Sequence, residues 1–285
     1  GVQTNNGAIE LSTDDGILTV NEALASGTAN LTLQTAELDE ATDARIILNT
    51  DLQAAQIALL SADIVQQNSG VITATRLALQ ADSAPNINIS GVETLAVKLT
   101  AEDSGFAFTA SNDLTIGSVA GIDGIQTQNG NIQLGSQAGT LTVAQTLNAG
   151  TGNIELNANN ANIVLEGDVF ANDLSLISGT GLIQQTAGAI QVNGLGISAS
   201  SAPILNTSAN IQKLAVNLTG NNEGFSFTNV NGFTVASVGS LDGIQTNNGD
   251  IALTSTNGTI AIHETLNAGS GLISLSANEN NEATI

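Results

Sequence analysis

Short runs in which every second residue is apolar recur along the whole chain. Ile132-Gln133-Leu134, Leu141-Thr142-Val143 and Ile260-Ala261-Ile262 are examples. A period of two residues is typical of β-strands, because successive strand side chains lie on opposite faces of a sheet. Pairs such as Asp15-Gly16 and Asn257-Gly258 separate the runs, and such pairs supply the positive φ angles that tight turns need. The pattern therefore predicts an all-β chain of short strands.

A long repeat is superimposed on this pattern. The heptad that begins at Gly1 returns at Gly124 and at Gly243, so the copies start 123 and 119 residues apart. Residues 124–158 and 243–277 share 20 identities in 35 positions. Repetition of this kind indicates a solenoid of stacked units. We therefore expect one continuous solenoid over residues 1–285, with long repeats 1–123, 124–242 and a partial third copy 243–285. The first copy carries an acidic insertion at Glu37 to Arg45.

A shorter sequence period lies within the long repeat. Its apolar anchors are Ile132, Ile154, Leu174, Leu195, Leu214, Phe233 and Ile251. Their spacing predicts six coils of about 20 residues in each long repeat. Antiparallel hairpins are an alternative explanation of the Asn-Gly pairs. A stack of hairpins, however, does not require a regular spacing of the apolar anchors. The predicted fold is a right-handed parallel β-helix with three strands per turn, roughly 14 coils and a length of about 65 to 70 Å.

The amino-acid composition argues against several classes of binding partner. Lys and Arg number 4 against 26 Asp and Glu, a formal net charge of −22, which argues against binding to nucleic acid. There is no cysteine, and no apolar run is long enough to span a membrane. The six phenylalanines are the only aromatic residues. The pairs Phe106/Phe108 and Phe225/Phe227 are in phase with the long repeat and are expected in the interior; an exposed aromatic patch is the alternative.

Acidic pairs are the first candidates for chemistry, because clustered carboxylates serve some β-helical polysaccharide lyases. The candidates are Asp14-Asp15, Asp39-Glu40 with Asp43, and Glu102-Asp103. Other copies of the repeat place neutral turn-forming residues at the positions of Asp14-Asp15 and Glu102-Asp103, which favours solvated corners. A lyase also needs a base near the substrate, and the four basic residues are scattered: Arg45, Arg76, Lys98 and Lys213.

The single histidine, His263, has no second histidine or cysteine with which to share a metal. Ala144 and Asn21 occupy its position in the other copies. We therefore predict no catalytic, cofactor-binding or metal-binding residue and no enzyme activity. Adventitious Ca²⁺ on acidic loops is the one ion that this composition would attract.

The coils resemble the repetitive shaft of filamentous haemagglutinin-like exoproteins and related giant bacterial surface adhesins. The segments that carry the resemblance are Gly130-Asn131-Ile132-Gln133-Leu134, Gly152-Asn153-Ile154-Glu155-Leu156, Gly188-Ala189-Ile190-Gln191-Val192 and Gly249-Asp250-Ile251-Ala252-Leu253. The resemblance implies a right-handed parallel β-helix on the cell surface or secreted. The amino-terminal Asn-Pro-Asn-Gly secretion signature of that family is not present in this sequence.

Three hypotheses about function follow. The first is a non-enzymatic extracellular structural protein, a segment of a surface fibre or adhesin shaft, whose partner is itself through end-to-end stacking or through a longer chain. The alternative is a module that binds surface glycans or matrix through its flat wall. A polysaccharide lyase-like β-helix is the third reading.

Overall fold

Parallel sheets stacked as a β-solenoid of about 12 turns form the fold. It is seen in a computed structural model that describes residues 1–36, 43–206 and 211–278. These residues form strands and turns and no helix, which confirms the predicted all-β parallel solenoid. The turns are fewer than the roughly 14 expected from coils of about 20 residues, because several turns are lengthened by insertions.

The described residues before residue 130 form eighteen strands. They are β1 Val2–Gln3, β2 Ile9–Thr13, β3 Leu18–Val20, β4 Leu24–Ala25, β5 Asn30–Thr35, β6 Ile46–Asn49, β7 Leu52–Gln53, β8 Gln56–Leu60, β9 Val65–Ser69, β10 Ile72–Thr73, β11 Arg76–Ala81, β12 Ile89–Ser90, β13 Thr94–Glu102, β14 Phe106–Ala110, β15 Leu114–Ile116, β16 Ser118–Val119, β17 Ile122–Asp123 and β18 Ile125–Gln128.

The described residues after residue 130 form sixteen strands. They are β19 Ile132–Ser136, β20 Leu141–Val143, β21 Leu147–Asn148, β22 Ile154–Asn157, β23 Ile163–Leu165, β24 Val169–Ser178, β25 Ile183–Gln185, β26 Ile190–Ala199, β27 Lys213–Asn221, β28 Phe225–Val235, β29 Ser237–Val238, β30 Leu241–Asp242, β31 Ile244–Asn247, β32 Ile251–Ile262, β33 Leu266–Asn267 and β34 Ile273–Ala277.

The chain groups into two compact units. One contains Gly1–Phe106, Leu114–Asn131 and Ala144–Thr146; the other contains Ala107–Asp113, Ile132–Val143 and Leu147–Ile285. The borders of these units do not coincide with the long sequence repeats, because the first unit continues past residue 124 into the second copy.

Three parallel walls build the first unit. Its two-residue strands stack in the order β1-β4-β7-β10-β12, β3-β6-β9 form a second sheet, and β2-β5-β8-β11-β13 form the third. Three strands per turn are therefore confirmed in this unit. On the third wall Ile9 pairs with Leu31, Leu31 with Ile57, and Ile57 with Leu77. Each turn thus places an aliphatic side chain directly against its equivalent in the next turn.

The core of this unit is a continuous aliphatic column. Leu31, Ile57 and Leu77 are 0%, 0% and 1% exposed. Burying a side chain of this size contributes about 1.5–3 kcal/mol relative to leaving it exposed. Because the contribution is repeated in each turn, the stack itself stabilises the fold without any disulfide.

The second unit confirms most of the predicted anchors. Ile132 pairs with Ile154, and the series continues through Leu174, Leu195 and Leu214. The last two anchors were assigned wrongly: Leu214 pairs with Val235 instead of Phe233, and Ile251 pairs with Phe225.

The physical reason for this error is the length of β28, an 11-residue strand whose register shifts between Asn231 and Phe233. Phe233 pairs instead with Ile260 on β32. Because β28 pairs with both β27 and β32, its apolar anchors do not keep the regular spacing of the other anchors.

The phenylalanine pairs lie in the interior with one exception. Phe106, Phe225 and Phe227 are 7%, 4% and 5% exposed, whereas Phe108 is only half-buried. The Phe227 ring stacks against Phe225, with centroids 6.4 Å apart, and meets the edge of Phe233 at 5.2 Å. The interior prediction is therefore confirmed for three of the four residues.

Two small antiparallel hairpins interrupt the parallel pattern at equivalent points of the long repeat. In the first unit β16 pairs with β17, and Val119 packs on Ala58, Ala78 and Ala96. These alanines alternate with inward-facing residues, so they lie on the outer face of the wall. Their burial to 0% therefore comes from the hairpin, which covers this face.

The second unit repeats the arrangement. Here β29 pairs with β30, and Val238 lies against Gly194 and Gly196, where a built Cβ atom at either glycine would be 3.3 Å from a Val238 side-chain atom. Small residues on the outer face are thus required wherever a hairpin covers it. The sequence analysis did not predict these hairpins.

Candidate functional surfaces

The most repeated heptad forms one corner of the solenoid. In each copy a threonine hydroxyl donates to the carbonyl of the glycine three residues later: Thr4 to Gly7, Thr127 to Gly130 at 2.6 Å, and Thr246 to Gly249 at 2.5 Å. The intervening asparagines, Asn6, Asn129 and Asn248, have φ angles of 64°, 65° and 66°. Asparagine tolerates this left-handed conformation better than most residues. The heptad therefore forms the same structural corner in each copy.

Corner side chains also bind the following turn. The Asn6 side-chain oxygen accepts from the Thr28 backbone N–H at 3.0 Å, and Asn248 accepts from the Ser270 N–H at 3.1 Å. These bonds satisfy backbone groups that would otherwise lack a partner at a bend. The asparagine-rich composition is thus explained by contacts between turns.

Several aspartates serve the same purpose. The Asp51 carboxylate accepts the N–H of Val71, Asp168 accepts that of Ala189, and Asp250 accepts that of Leu272, each at 2.8 Å. A carboxylate that accepts a backbone N–H is a strong, charge-assisted partner. Many acids of this chain are therefore part of the stacking framework.

Two of the acidic pairs singled out from the sequence lie at exposed positions at the ends of strands. Asp14 and Asp15 are exposed in a turn, and Glu102 and Asp103 are exposed at the end of β13. The backbone of Asp103 has a φ of 59°, and its N–H donates to the carbonyl of Gln128. Asp39 and Glu40 lie outside the described residues.

Asp43 is the described acid of that third candidate group, and it faces Arg45. The Arg45 Nε donates to Asp43 Oδ1 at 2.6 Å, and its Nη2 donates to Oδ2. This hydrogen bonding lowers the pKa of the Asp43 carboxyl. On the next turn, burial raises the pKa of Asp63, and the neighbouring Asp43 carboxylate adds to the effect. The cluster is a local charge network at a corner.

The other basic residues stay apart, as the sequence indicates. Arg76 donates from Nη2 to the Ser118 carbonyl at 2.8 Å, so it ties the first hairpin to the wall, and Lys98 is exposed. Lys213 Nζ lies 3.0 Å from Asp173 Oδ1. Each basic side chain that has a partner therefore has a structural one.

His263 is exposed and follows β32, where its backbone N–H donates to the carbonyl of Val235. Among residues 1–36, 43–206 and 211–278, no three His, Cys, Asp or Glu side chains are grouped so that they could hold a metal ion. The described residues also include no helix of the length and apolarity that a membrane crossing requires.

A polar groove of about 350 Å³ lies on the outer face of β14, β19 and β22. Its floor is Gly135, and polar groups of Thr109, Gln133, Gln137 and Glu155 line it. Gln133 is the cross-strand neighbour of Glu155, and Gly135 is that of Asn157. The sequence analysis did not single out these residues. The available signal was Gly135, which stands where the other copies have Ser12 and Thr254.

Comparison with known proteins gives no relative: no protein-family model, no curated protein sequence and no solved structure matches this chain. The functional argument therefore rests on the fold, on the surfaces described above and on the resemblance noted in the sequence.

Proposed function

We propose that this chain is a non-enzymatic structural segment of an extracellular surface fibre or adhesin shaft. The observation that carries the proposal is the use of polar residues. Acids and amides at the corners accept backbone N–H groups of the next turn, as Asp51, Asp168 and Asp250 do. A chain that devotes its polar side chains to stacking is suited to holding turns in register along an axis.

The mechanism of such a segment is geometric. Parallel backbone ladders link each turn to the next, and the aliphatic column excludes water from the centre. The charge of −22 keeps the outside hydrated and disfavours non-specific association. A location outside the cell is proposed from the resemblance of the coils to surface exoproteins.

Electron microscopy of the purified chain at several salt and Ca²⁺ concentrations tests the proposal. We expect rods or longer filaments in which successive turns are about 4.8 Å apart along the axis. Compact, irregular particles, or product formation from polyuronate, would contradict the shaft proposal itself.

A further inference from the structure

The polar groove on β14, β19 and β22 gathers several outer polar side chains on neighbouring strands. Within the described residues, the side chains of Gln133, Gln137 and Glu155 make no hydrogen bond to another protein group, although Gln133 and Glu155 are direct cross-strand neighbours. A set of facing amide and carboxylate groups is therefore left for something outside the protein.

The floor of the groove is a deviation from the repeat. Gly135 has no positive φ, so its backbone conformation does not require glycine. Ser12 and Thr254 occupy the equivalent position in the other copies. A Cβ atom built at Gly135 would lie 2.9 Å from Thr109 Oγ1, inside the groove. Glycine at this position therefore opens space that the other copies fill.

The walls of the groove also change between copies. The third copy has Ala252 in place of Gln133 and Ser274 in place of Glu155. These replacements remove an amide and a carboxylate while the strand pairing persists, since Ile251 pairs with Ile273 as Ile132 pairs with Ile154. The fold does not need Gln133 or Glu155, so another role accounts for them better.

These groups match a ligand rich in hydroxyls. Amide side chains both donate and accept hydrogen bonds, and a carboxylate accepts them. An anionic ligand would be repelled by Glu155 and by the net charge of −22. The volume of about 350 Å³ lies at the lower end of the range for small-ligand sites, about 300–1,000 Å³. A short segment of a carbohydrate chain fits this size.

We propose that this groove is a binding site for a neutral oligosaccharide. Gln133 and Glu155 hold one side of the sugar through its hydroxyls, Gln137 holds the other, and Gly135 admits it to the floor. The affinity of such an open site is on the order of 1 mM, because few groups contact the ligand. The proposal is independent of the shaft function, since a shaft without the site would remain a shaft.

Titration of the ¹⁵N-labelled chain, followed by NMR, tests the proposal. The probes are cellotriose, maltotriose and triacetylchitotriose, with trigalacturonate as the anionic comparison. We expect at least one neutral probe to produce saturable shifts of the Gln133 and Gln137 side-chain amide signals. Trigalacturonate should leave these signals in place. No saturable shift with any neutral probe, or tighter binding of trigalacturonate, would overturn the proposal.

Two variants convert the site to the residues of the third copy. Gly135→Thr fills the floor, and Glu155→Ser removes the carboxylate; each should weaken binding at least tenfold while the far-ultraviolet circular dichroism stays that of the parent. Thr254→Ala at the equivalent position of the third copy is the matched control and should bind as the parent does. If Gly135→Thr alters the fold, Glu155→Ser decides, and its unchanged affinity would reject the assignment.

Discussion

Leu156 represents the residues on which the stack depends. It is 0% exposed and pairs with Leu134 on one side and Leu176 on the other. The alternation around it, with Glu155 and Asn157 outward, was readable from the sequence. The period of two residues therefore predicts which side chains form the core, because strand geometry leaves no third choice.

Leu156→Ala should lower the free energy of unfolding by about 2–5 kcal/mol, since it leaves a cavity between two stacked leucines. Urea denaturation followed by circular dichroism measures the change. Glu155→Ala on the same strand is the control and should change stability by about 0.5 kcal/mol or less. Equal effects of the two substitutions would show that Leu156 is not interior.

Asp63→Asn should stabilise the protein at neutral pH. The folded-state pKa of Asp63 is raised above its ordinary value of 3.8, first by burial and then by Asp43. The folded protein therefore holds this proton more tightly than the unfolded chain does, and the ionised form destabilises the fold above the raised pKa. The gain in melting temperature should be full at neutral pH and should shrink as the pH falls through the raised pKa toward 3.8.

Arg45→Gln should destabilise the protein at neutral pH, in contrast to Asp63→Asn. Arg45 lowers the pKa of Asp43 by hydrogen bonding, so the ion pair stabilises the fold above 3.8 and this contribution is lost as the pH falls through the lowered pKa. The variant should therefore melt below the parent at neutral pH and approach it in acid. A melting difference that does not change with pH, for either variant, would mean that these carboxyls have ordinary pKa values.

At the scale of elements, the corner formed by the heptad is the best-defined unit. Three copies of the sequence give the same hydrogen bond and the same left-handed asparagine. The sequence predicted a turn here from Asn-Gly, but it did not reveal the threonine hydrogen bond. That bond depends on how the chain enters the corner, which composition alone does not fix.

Thr246→Val should cost about 1–3 kcal/mol, because Thr246 is 3% exposed and its loss leaves the Gly249 carbonyl without this donor. Thr4→Val provides the internal comparison. Its hydrogen bond lies in an exposed corner, where water replaces the lost donor, and the cost should be about 0.5 kcal/mol or less. Thermal unfolding of both variants measures the difference, and equal costs would contradict a buried role for Thr246.

The hairpins on the outer wall are the elements that sequence reasoning missed. Ala58, Ala78 and Ala96 share the outer face of their strands, and small apolar residues on that face were the signal. The hairpin that covers them is distant in sequence, and its own strands are only two residues long. A strand this short gives no detectable alternation, so only its recurrence at the 119-residue spacing could have indicated it.

Val119→Asp should release the first hairpin, because it places a charge against the three alanines. Hydrogen exchange of residues 118–123 should become at least about tenfold faster, equivalent to about 1.4 kcal/mol of local stability. Ala120→Asn is the matched control: Ala120 has a φ of 50°, which asparagine tolerates. Unchanged exchange in Val119→Asp would show that the hairpin is not held by this contact.

At the scale of the whole molecule, the short sequence period predicts how the turns stack better than it predicts the number of turns. The short period correctly predicts parallel turns and five successive anchors, whereas the count of turns falls to about 12 because strands such as β28 and the hairpin insertions lengthen individual turns. The candidate groove could not be predicted in the same way, since a single glycine gains meaning only when its cross-strand neighbours are known.

The proposed shaft requires that the turns of both units follow one axis, as the long sequence repeat predicts. Solution X-ray scattering of the purified chain at moderate salt is the most direct test. One continuous stack of about 12 turns at about 4.8 Å per turn predicts a rod of constant cross-section about 58 Å long. A distance distribution with two separate maxima, or one typical of a compact sphere, would contradict a continuous shaft.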